Sequence, residues 1–140
     1  MIHLTIQPEQ RTTIKIILVY RNPASRASDD DELYALIDDI LSTPNETLIV
    51  GDFNLPYINW TTRQSQAPGN KLVELLNINS LAQHVLEPTR QNNILDLVIT
   101  SPDIRINDIE VTDRMGDHNM IDIELLVHRS TTRAQRKNIS

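Results

Sequence analysis

An apolar run, an amphipathic helix pattern and a second apolar run follow one another along the first 52 residues, and this succession constrains the fold most. Segment 12–21 is rich in β-branched residues and predicts a buried central strand. Leucines and isoleucines at helical spacing, from Leu33 to Leu41, predict a helix that is capped by Ser28, has aspartates in its first turn and is broken at Pro44-Asn45. The apolar run 47–50 predicts the next strand. Strand, helix and strand in this order are typical of a βαβ unit, so we expect an α/β fold.

The rest of the chain continues the alternation of loops, helices and strands. Prolines, asparagines and threonines without a sustained period predict a surface loop over residues 55–68. A second amphipathic helix is predicted over residues 70–78. Apolar or alternating runs predict four further strands, over residues 82–86, 94–100, 108–112 and 120–127.

Length and composition favour one compact domain followed by a basic tail. With 140 residues, of which 39% are hydrophobic, the chain suits a single core, which we place over residues 12–127. Residues 128–140 are polar and contain no acid, and they predict a disordered segment. Four of the 13 basic residues lie in that tail, which leaves 9 against all 19 acidic residues before it. Such an acidic body opposes a broad nucleic-acid-binding face unless a cation mediates the contact.

Several classes of site and location are excluded by what the sequence lacks. The chain has no cysteine, which excludes disulfides, thiolate metal sites and cysteine nucleophiles. No apolar run approaches the roughly 20 residues of a membrane span, and the first ten residues show no signal-peptide pattern. We therefore expect no membrane partner, and an intracellular compartment is permitted.

Side chains with catalytic chemistry stand at the ends of predicted strands. Asp52 and Asn54 follow one strand, and Asp96 interrupts the apolar run of another. Asp117 and His118 precede the last strand. A carboxylate in a buried strand is costly unless it is paired or bound to metal, so Asp96 either has such a partner or points to the exposed face of an edge strand. Carboxylates suit a hard divalent cation and a water-activating base, and asparagine and histidine can stabilise a charged phosphate, so the set favours phosphodiester hydrolysis.

Four short blocks occur in a fixed order along the chain. They are VYRNP at residues 19–23, GDFNLP at 51–56, EPTR at 87–90 leading to LDLV at 95–98, and GDHN at 116–119. Together they resemble the C-terminal part of the endonuclease/exonuclease/phosphatase family. The GDFNLP block, Trp60 and the EPTR block are most similar to endonuclease domains of non-LTR (LINE-like) retrotransposons. The resemblance implies a partial α/β sandwich of this family's type, with the N-terminal strands missing and one sheet edge or apolar face exposed.

The resemblance also implies a role for each matching residue. Asp52 matches the aspartate that orients and deprotonates the attacking water, and Asn54 matches the asparagine that holds the phosphate in its transition state. Asp96 matches the aspartate that pairs with the catalytic histidine, here His118. Asp117 matches the late aspartate of the metal site, where the family uses Mg²⁺ or Mn²⁺. Contacts with the substrate are implied for a tyrosine, an asparagine and an arginine, namely Tyr20, Asn22 and Arg90.

The function implied is a divalent-metal-dependent phosphodiester hydrolase with DNA as its substrate, nuclear if it is a retroelement endonuclease. Two departures from the family pattern leave other functions open. Gly116 stands where the family has serine before the Asp-His pair, and the family's metal-anchoring glutamate has no counterpart before Thr12. The alternatives are a catalytically inactive remnant or binding module, and a phosphoesterase acting on RNA or on small phosphate esters. For Arg90, the alternative is a solvated surface arginine.

Overall fold

Two β-sheets and two helices make up the part of the chain that the computed structural model describes, residues 2–8, 14–43, 46–112 and 120–127. The predicted tail, residues 128–140, lies outside the described residues. No helix among the described residues has the length and apolar character needed to cross a bilayer. The elements in chain order are β1 (Ile2–Pro8), β2 (Ile14–Tyr20), α1 (Ala27–Leu41), β3 (Glu46–Asp52), α2 (Gly69–Ile78), β4 (Ala82–Gln83), β5 (Asp96–Thr100), β6 (Ile104–Thr112) and β7 (Met120–Val127).

The two sheets combine parallel and antiparallel pairing. In the four-stranded sheet the order is β2-β3-β5-β4, and in the three-stranded sheet it is β1-β7-β6. Strands β2 and β3, which precede and follow α1 in the sequence, pair in parallel and form the predicted βαβ unit. Strand β5 pairs antiparallel with both β3 and β4. Strand β7 pairs in parallel with β1 and antiparallel with β6. The predicted α/β class is confirmed.

Both faces of the four-stranded sheet carry apolar clusters. On one face the helices cover the sheet, and Ile37 of α1 and Leu76 of α2 pack with Ile49 of β3. On the other face Val50 and its neighbours pack with Ile104 of β6. Because β6 belongs to the three-stranded sheet, the arrangement is a two-sheet sandwich with helices outside one sheet, as the resemblance implied.

Most element bounds agree with the sequence predictions, and the differences have local causes. Helix α1 follows Arg26 as its N-cap, so the predicted N-cap Ser28 is wrong. The Oδ2 atom of Asp29 accepts the Arg26 backbone N–H at 3.0 Å, which starts the helix two residues earlier. Strand β5 begins two residues later than predicted, and β6 begins four residues earlier. Residues 55–68 contain no helix or strand, which confirms the predicted loop.

Strand β1 was not predicted from the sequence. Its apolar residues Ile2, Leu4 and Ile6 alternate with polar ones, which is the period of a strand, but the run is short and ends at Pro8. It exists as a strand through a long-range parallel pairing with β7, which begins more than a hundred residues later in the chain. Local pattern alone could not reveal that partner.

Strand β2 lies at the edge of its sheet, so the prediction of a buried central strand is wrong. One of its faces packs under the helices through Ile17 and Val19. On the other face Ile16, Leu18 and Tyr20 are 45%, 79% and 71% exposed. The neighbouring side chains of β3 are buried, and on β2 this cover reaches Ile14 at the start of the strand but not the residues after it. One exposed sheet edge or apolar face was expected, and in the described part of the chain β2 shows both.

Two leucines on this face of the sheet allow a direct test of the difference in cover. Leu18→Ala on β2 removes a side chain that is 79% exposed and should change the free energy of unfolding by less than about 0.5 kcal/mol. Leu48→Ala on β3 removes a fully buried side chain and should cost about 3 kcal/mol. Urea unfolding of the two variants measures both values. Equal losses would show that β2 is covered to the same extent as β3.

Candidate functional site

Three of the predicted site residues lie in one row across the four-stranded sheet. Tyr20 at the end of β2 is the register partner of Asp52 at the end of β3, and Asp52 is directly opposite Asp96 at the start of β5. Register partners share one face of a sheet, and adjacent strands are about 4.8 Å apart. The row therefore brings a phenol and two carboxylates together at one end of the sheet. Tyr20 is exposed, Asp52 half-buried and Asp96 buried.

A tight turn after β3 places Asn54 beside Asp52. The Oδ1 atom of Asp52 accepts the backbone N–H of Asn54 at 3.0 Å, and Asn54 has a φ of 49°, in the left-handed region. Asparagine tolerates this conformation better than most residues. Between them, the fully buried Phe53 anchors the turn, and its N–H donates to the carbonyl of Leu95 at 2.9 Å. The turn is thus attached to the strand that carries Asp96.

Gly51 permits the close pairing of β2 and β3 just before this turn. Its φ is 155°, and a Cβ atom on it would lie 1.8 Å from the backbone oxygen of Val19. Only a residue without a side chain fits there. The glycine therefore lets Tyr20 come into register with Asp52.

Backbone hydrogen bonds from a buried threonine fix the position of Asp96. The Oγ1 atom of Thr89 accepts the N–H groups of Leu95 and Asp96, both at 3.1 Å, and Thr89 is fully buried. Thr89 therefore supports the backbone at the start of β5. Arg90 is half-buried and shares two backbone hydrogen bonds with Asn93, in the turn before β5.

Asn22 is exposed at the other side of the turn, next to the end of β2. Its Oδ1 atom accepts the N–H of Ala24 at 2.8 Å, which makes a local turn of the kind that asparagine favours. The substrate-binding roles of Asn22 and Arg90 remain predictions.

A buried ion pair beneath the turn was not found by sequence reasoning. Arg21 donates through Nε and Nη2 to the two carboxylate oxygens of Asp30 at 2.8 and 2.9 Å. This hydrogen bonding raises the pKa of Arg21. Burial raises the pKa of the nearby Tyr34 to about 12, so its phenol is neutral at physiological pH. From the sequence, Asp30 was one of three aspartates in a helical first turn and nothing marked it as buried.

The residue that was predicted to bind the metal lies outside the described part of the chain. Asp117 and His118 lie outside the described residues, and so does Gly116. In residues 2–8, 14–43, 46–112 and 120–127, no three His, Asp or Glu side chains form a ligand group. The facing carboxylates of Asp52 and Asp96 are oxygen donors of the kind that Mg²⁺ uses, often only one or two per ion with water as the remainder. The donor chemistry therefore fits a hard divalent cation.

Comparison with known proteins agrees with this architecture. The family model described as "Endonuclease-reverse transcriptase" matches residues 14–122. A mannosyl-6-phosphatase of Bacteroides thetaiotaomicron is structurally similar, with a TM-score of 0.53 and 13% identity over 79% of this chain and 50% of that one. An endonuclease/exonuclease/phosphatase family protein of the same species gives a TM-score of 0.53 and 13% identity, over 79% of this chain and 49% of that one. No curated protein matches the chain.

Proposed function

The chain belongs to the endonuclease/exonuclease/phosphatase family, and on this premise we propose that it hydrolyses phosphodiester bonds in DNA with the help of a divalent cation. The observation that carries the proposal is the row of Tyr20, Asp52 and Asp96 at one sheet end, with Asn54 beside it. The chain spans half of one similar solved structure and 49% of the other. Activity of this length of chain is part of the proposal.

Asp52 is the proposed general base. Its Oδ1 atom already accepts the Asn54 backbone N–H, which restricts the orientation of the carboxylate. In the proposed step a water oxygen attacks phosphorus, Asp52 takes the water proton, and the bond from phosphorus to the leaving oxygen breaks. The same turn would thus supply the proton acceptor and the hydrogen bond that orients it.

Asn54 is the proposed donor to the phosphate. Its Nδ2 group gives one hydrogen to the carbonyl of Arg21 at 2.6 Å, and a primary amide has a second hydrogen to give. That hydrogen would stabilise the negative charge that grows on a phosphoryl oxygen in the transition state. Tyr20 is exposed in the same row, next to Asp52 on the neighbouring strand β2, and its phenol would contact the phosphate there.

Asp96 is proposed to hold His118 in one tautomer, so that the imidazole can donate to the phosphate. Asp117 is proposed to bind the cation. Mg²⁺ or Mn²⁺, when bound, supplies positive charge that neutralises the phosphate. A cation also explains how an acidic chain could approach a polyanion.

The choice of DNA rests on the family model's description, an endonuclease–reverse transcriptase, which matches residues 14–122. A retrotransposon origin and a nuclear location belong to the same proposal. A second candidate is hydrolysis of small phosphate esters, which is favoured by the likeness to a mannosyl-6-phosphatase.

A nicking assay tests the proposal. Supercoiled plasmid is incubated with the purified chain and Mg²⁺, Mn²⁺ or EDTA, and an RNA oligonucleotide and a sugar phosphate are tested in parallel. We expect nicking with either cation and none with EDTA. His118→Ala should lower the rate by about a hundredfold, because a donor to the phosphate is lost. Cleavage equal to that of His118→Ala in every condition would instead support an inactive remnant or a binding module.

A further inference from the structure

We infer that Arg21 is a positioning residue for this site, because its buried guanidinium holds the backbone of Phe53 and Asn54 while Asp30 neutralises its charge. The inference rests on the proposed function, in which the placement of Asp52 and Asn54 determines the rate. Arg21 itself does not contact the substrate, since its side chain is 2% exposed.

The ion pair is in an unusual place for two charges. Arg21 and Asp30 are 3% and 1% exposed, and the pair joins the end of β2 to the first turn of α1. A buried ion pair is often no more stabilising than apolar side chains of similar volume, because both charges must leave water. We therefore infer that the pair beneath the turn has a role that apolar side chains could not perform.

The hydrogen bonds of Arg21 indicate that task. The Nη1 group donates to the carbonyl oxygens of Phe53 and Asn54 at 3.5 and 3.4 Å, while Nε and Nη2 are taken up by Asp30. The Arg21 backbone adds two bonds, because its N–H donates to the Asp52 carbonyl at 2.8 Å and its carbonyl accepts Nδ2 of Asn54 at 2.6 Å. Arg21 is thereby hydrogen-bonded to three successive residues of the turn after β3, namely Asp52, Phe53 and Asn54.

The turn needs such support because Asn54 is held in the left-handed region, with a φ of 49°. A planar guanidinium can fill a bidentate bond to a carboxylate and still direct a third nitrogen at neighbouring carbonyls. A lysine ammonium offers no such fork. The arrangement therefore depends on an arginine and on the carboxylate that fixes its plane.

Loosening this support should affect the reaction more than substrate binding. Misplacement of a reacting group by about 1 Å can lower a rate about a hundredfold. The exposed groups that meet the substrate first, such as Tyr20, are not bonded to the guanidinium. We therefore expect kcat to fall while KM stays nearly constant.

Substitution of Asp30 tests this, because Asp30 lies on α1 and reaches the turn through Arg21. Asp30→Asn keeps the shape of the side chain but removes the charge that fixes the guanidinium. We expect kcat to fall about tenfold and KM to stay within about twofold. The matched control is Asp31→Asn, the same change one residue later, where the carboxylate is exposed and bonded to Lys71 at 2.6 Å. The control should leave kcat and KM unchanged.

A double variant separates positioning from stability. Arg21→Met with Asp30→Leu replaces both charges with apolar side chains of similar size, and its urea midpoint should stay close to that of the unmodified chain. Its kcat should be at least as low as that of Asp30→Asn. A stable double variant with unchanged kcat overturns the inference. If the double variant does not fold, Asp30→Asn and its control decide.

A third readout does not depend on catalysis. The Asn54 side-chain amide, followed by ¹⁵N NMR, should exchange its bonded hydrogen with solvent at least about tenfold faster in Asp30→Asn than in Asp31→Asn. If the unmodified chain cleaves no substrate, the proposed function fails and this amide alone tests the positioning. Equal exchange rates in the two variants would show that Arg21 does not hold the turn.

Discussion

Asp52→Asn should lower kcat for phosphodiester cleavage by about a thousandfold at saturating Mg²⁺, because the attacking water loses its base. The asparagine Oδ1 can still accept the Asn54 N–H that Asp52 accepts at 3.0 Å, so the turn should keep its shape. The substitution also removes one of two carboxylates that face each other across β3 and β5. We therefore expect the free energy of unfolding to change by less than about 1 kcal/mol.

Steady-state cleavage of a fluorescent DNA substrate and urea unfolding measure the two quantities on the same preparation. Asp108→Asn is the matched control, since Asp108 is exposed on β6 and has no part in the proposed site. That control should cleave at the unmodified rate. Unchanged kcat in Asp52→Asn would assign the base to another residue, and a joint loss of activity and stability would make Asp52 a structural residue.

Gly51→Ala should destabilise the chain by at least about 4 kcal/mol, which is a large part of the stability of a domain of this size. The added Cβ would lie 1.8 Å from the oxygen and 2.7 Å from the carbon of the Val19 carbonyl. Both are backbone atoms in the neighbouring strand, so the clash can be relieved only by separating β2 from β3. The φ of 155° adds strain for any residue with a side chain.

Gly69→Ala provides a graded comparison. Its Cβ would meet Ser65 Oγ at 2.5 Å and Ile58 Cγ1 at 2.6 Å, which are side-chain atoms and not backbone atoms of a paired strand. We expect a loss of about 1–2 kcal/mol there. Circular dichroism during urea titration measures both variants. Similar midpoints for the two would show that the strands yield as readily as the side chains.

The parts of the fold that were predicted from sequence are those set by local periodicity. Leucines and isoleucines at helical spacing predicted helix α1. The alternation of apolar and acidic residues predicted β7, at the bounds that the structure shows. The exposed face of β2 could not be recognised from the sequence, because a β-branched run looks the same whether or not another layer covers it. That cover depends on how far β6 extends over the sheet, which is a long-range property.

The candidate site divides in the same way. Asp52, Asn54 and Asp96 were selected from their chemistry and blocks, and the structure places them at one end of the sheet. The pairing of Arg21 with Asp30 was missed because it joins a strand end to a helix turn, where an aspartate already has a sufficient explanation in the helix dipole. Three-dimensional burial is what distinguishes Asp30 from Asp31 beside it.

The outer edge of β2 also bears on how the chain behaves in concentrated solution. Among the described residues, no strand pairs with the backbone groups along that edge, and the Leu18 side chain beside them is exposed to solvent. A strand of this composition, with Lys15 as its single charge, is a template with which further strands can pair. Natural edges are usually protected by a charged gatekeeper at such a position. We therefore expect this edge to favour association between chains as the protein concentration rises, and purification at low concentration suits the chain.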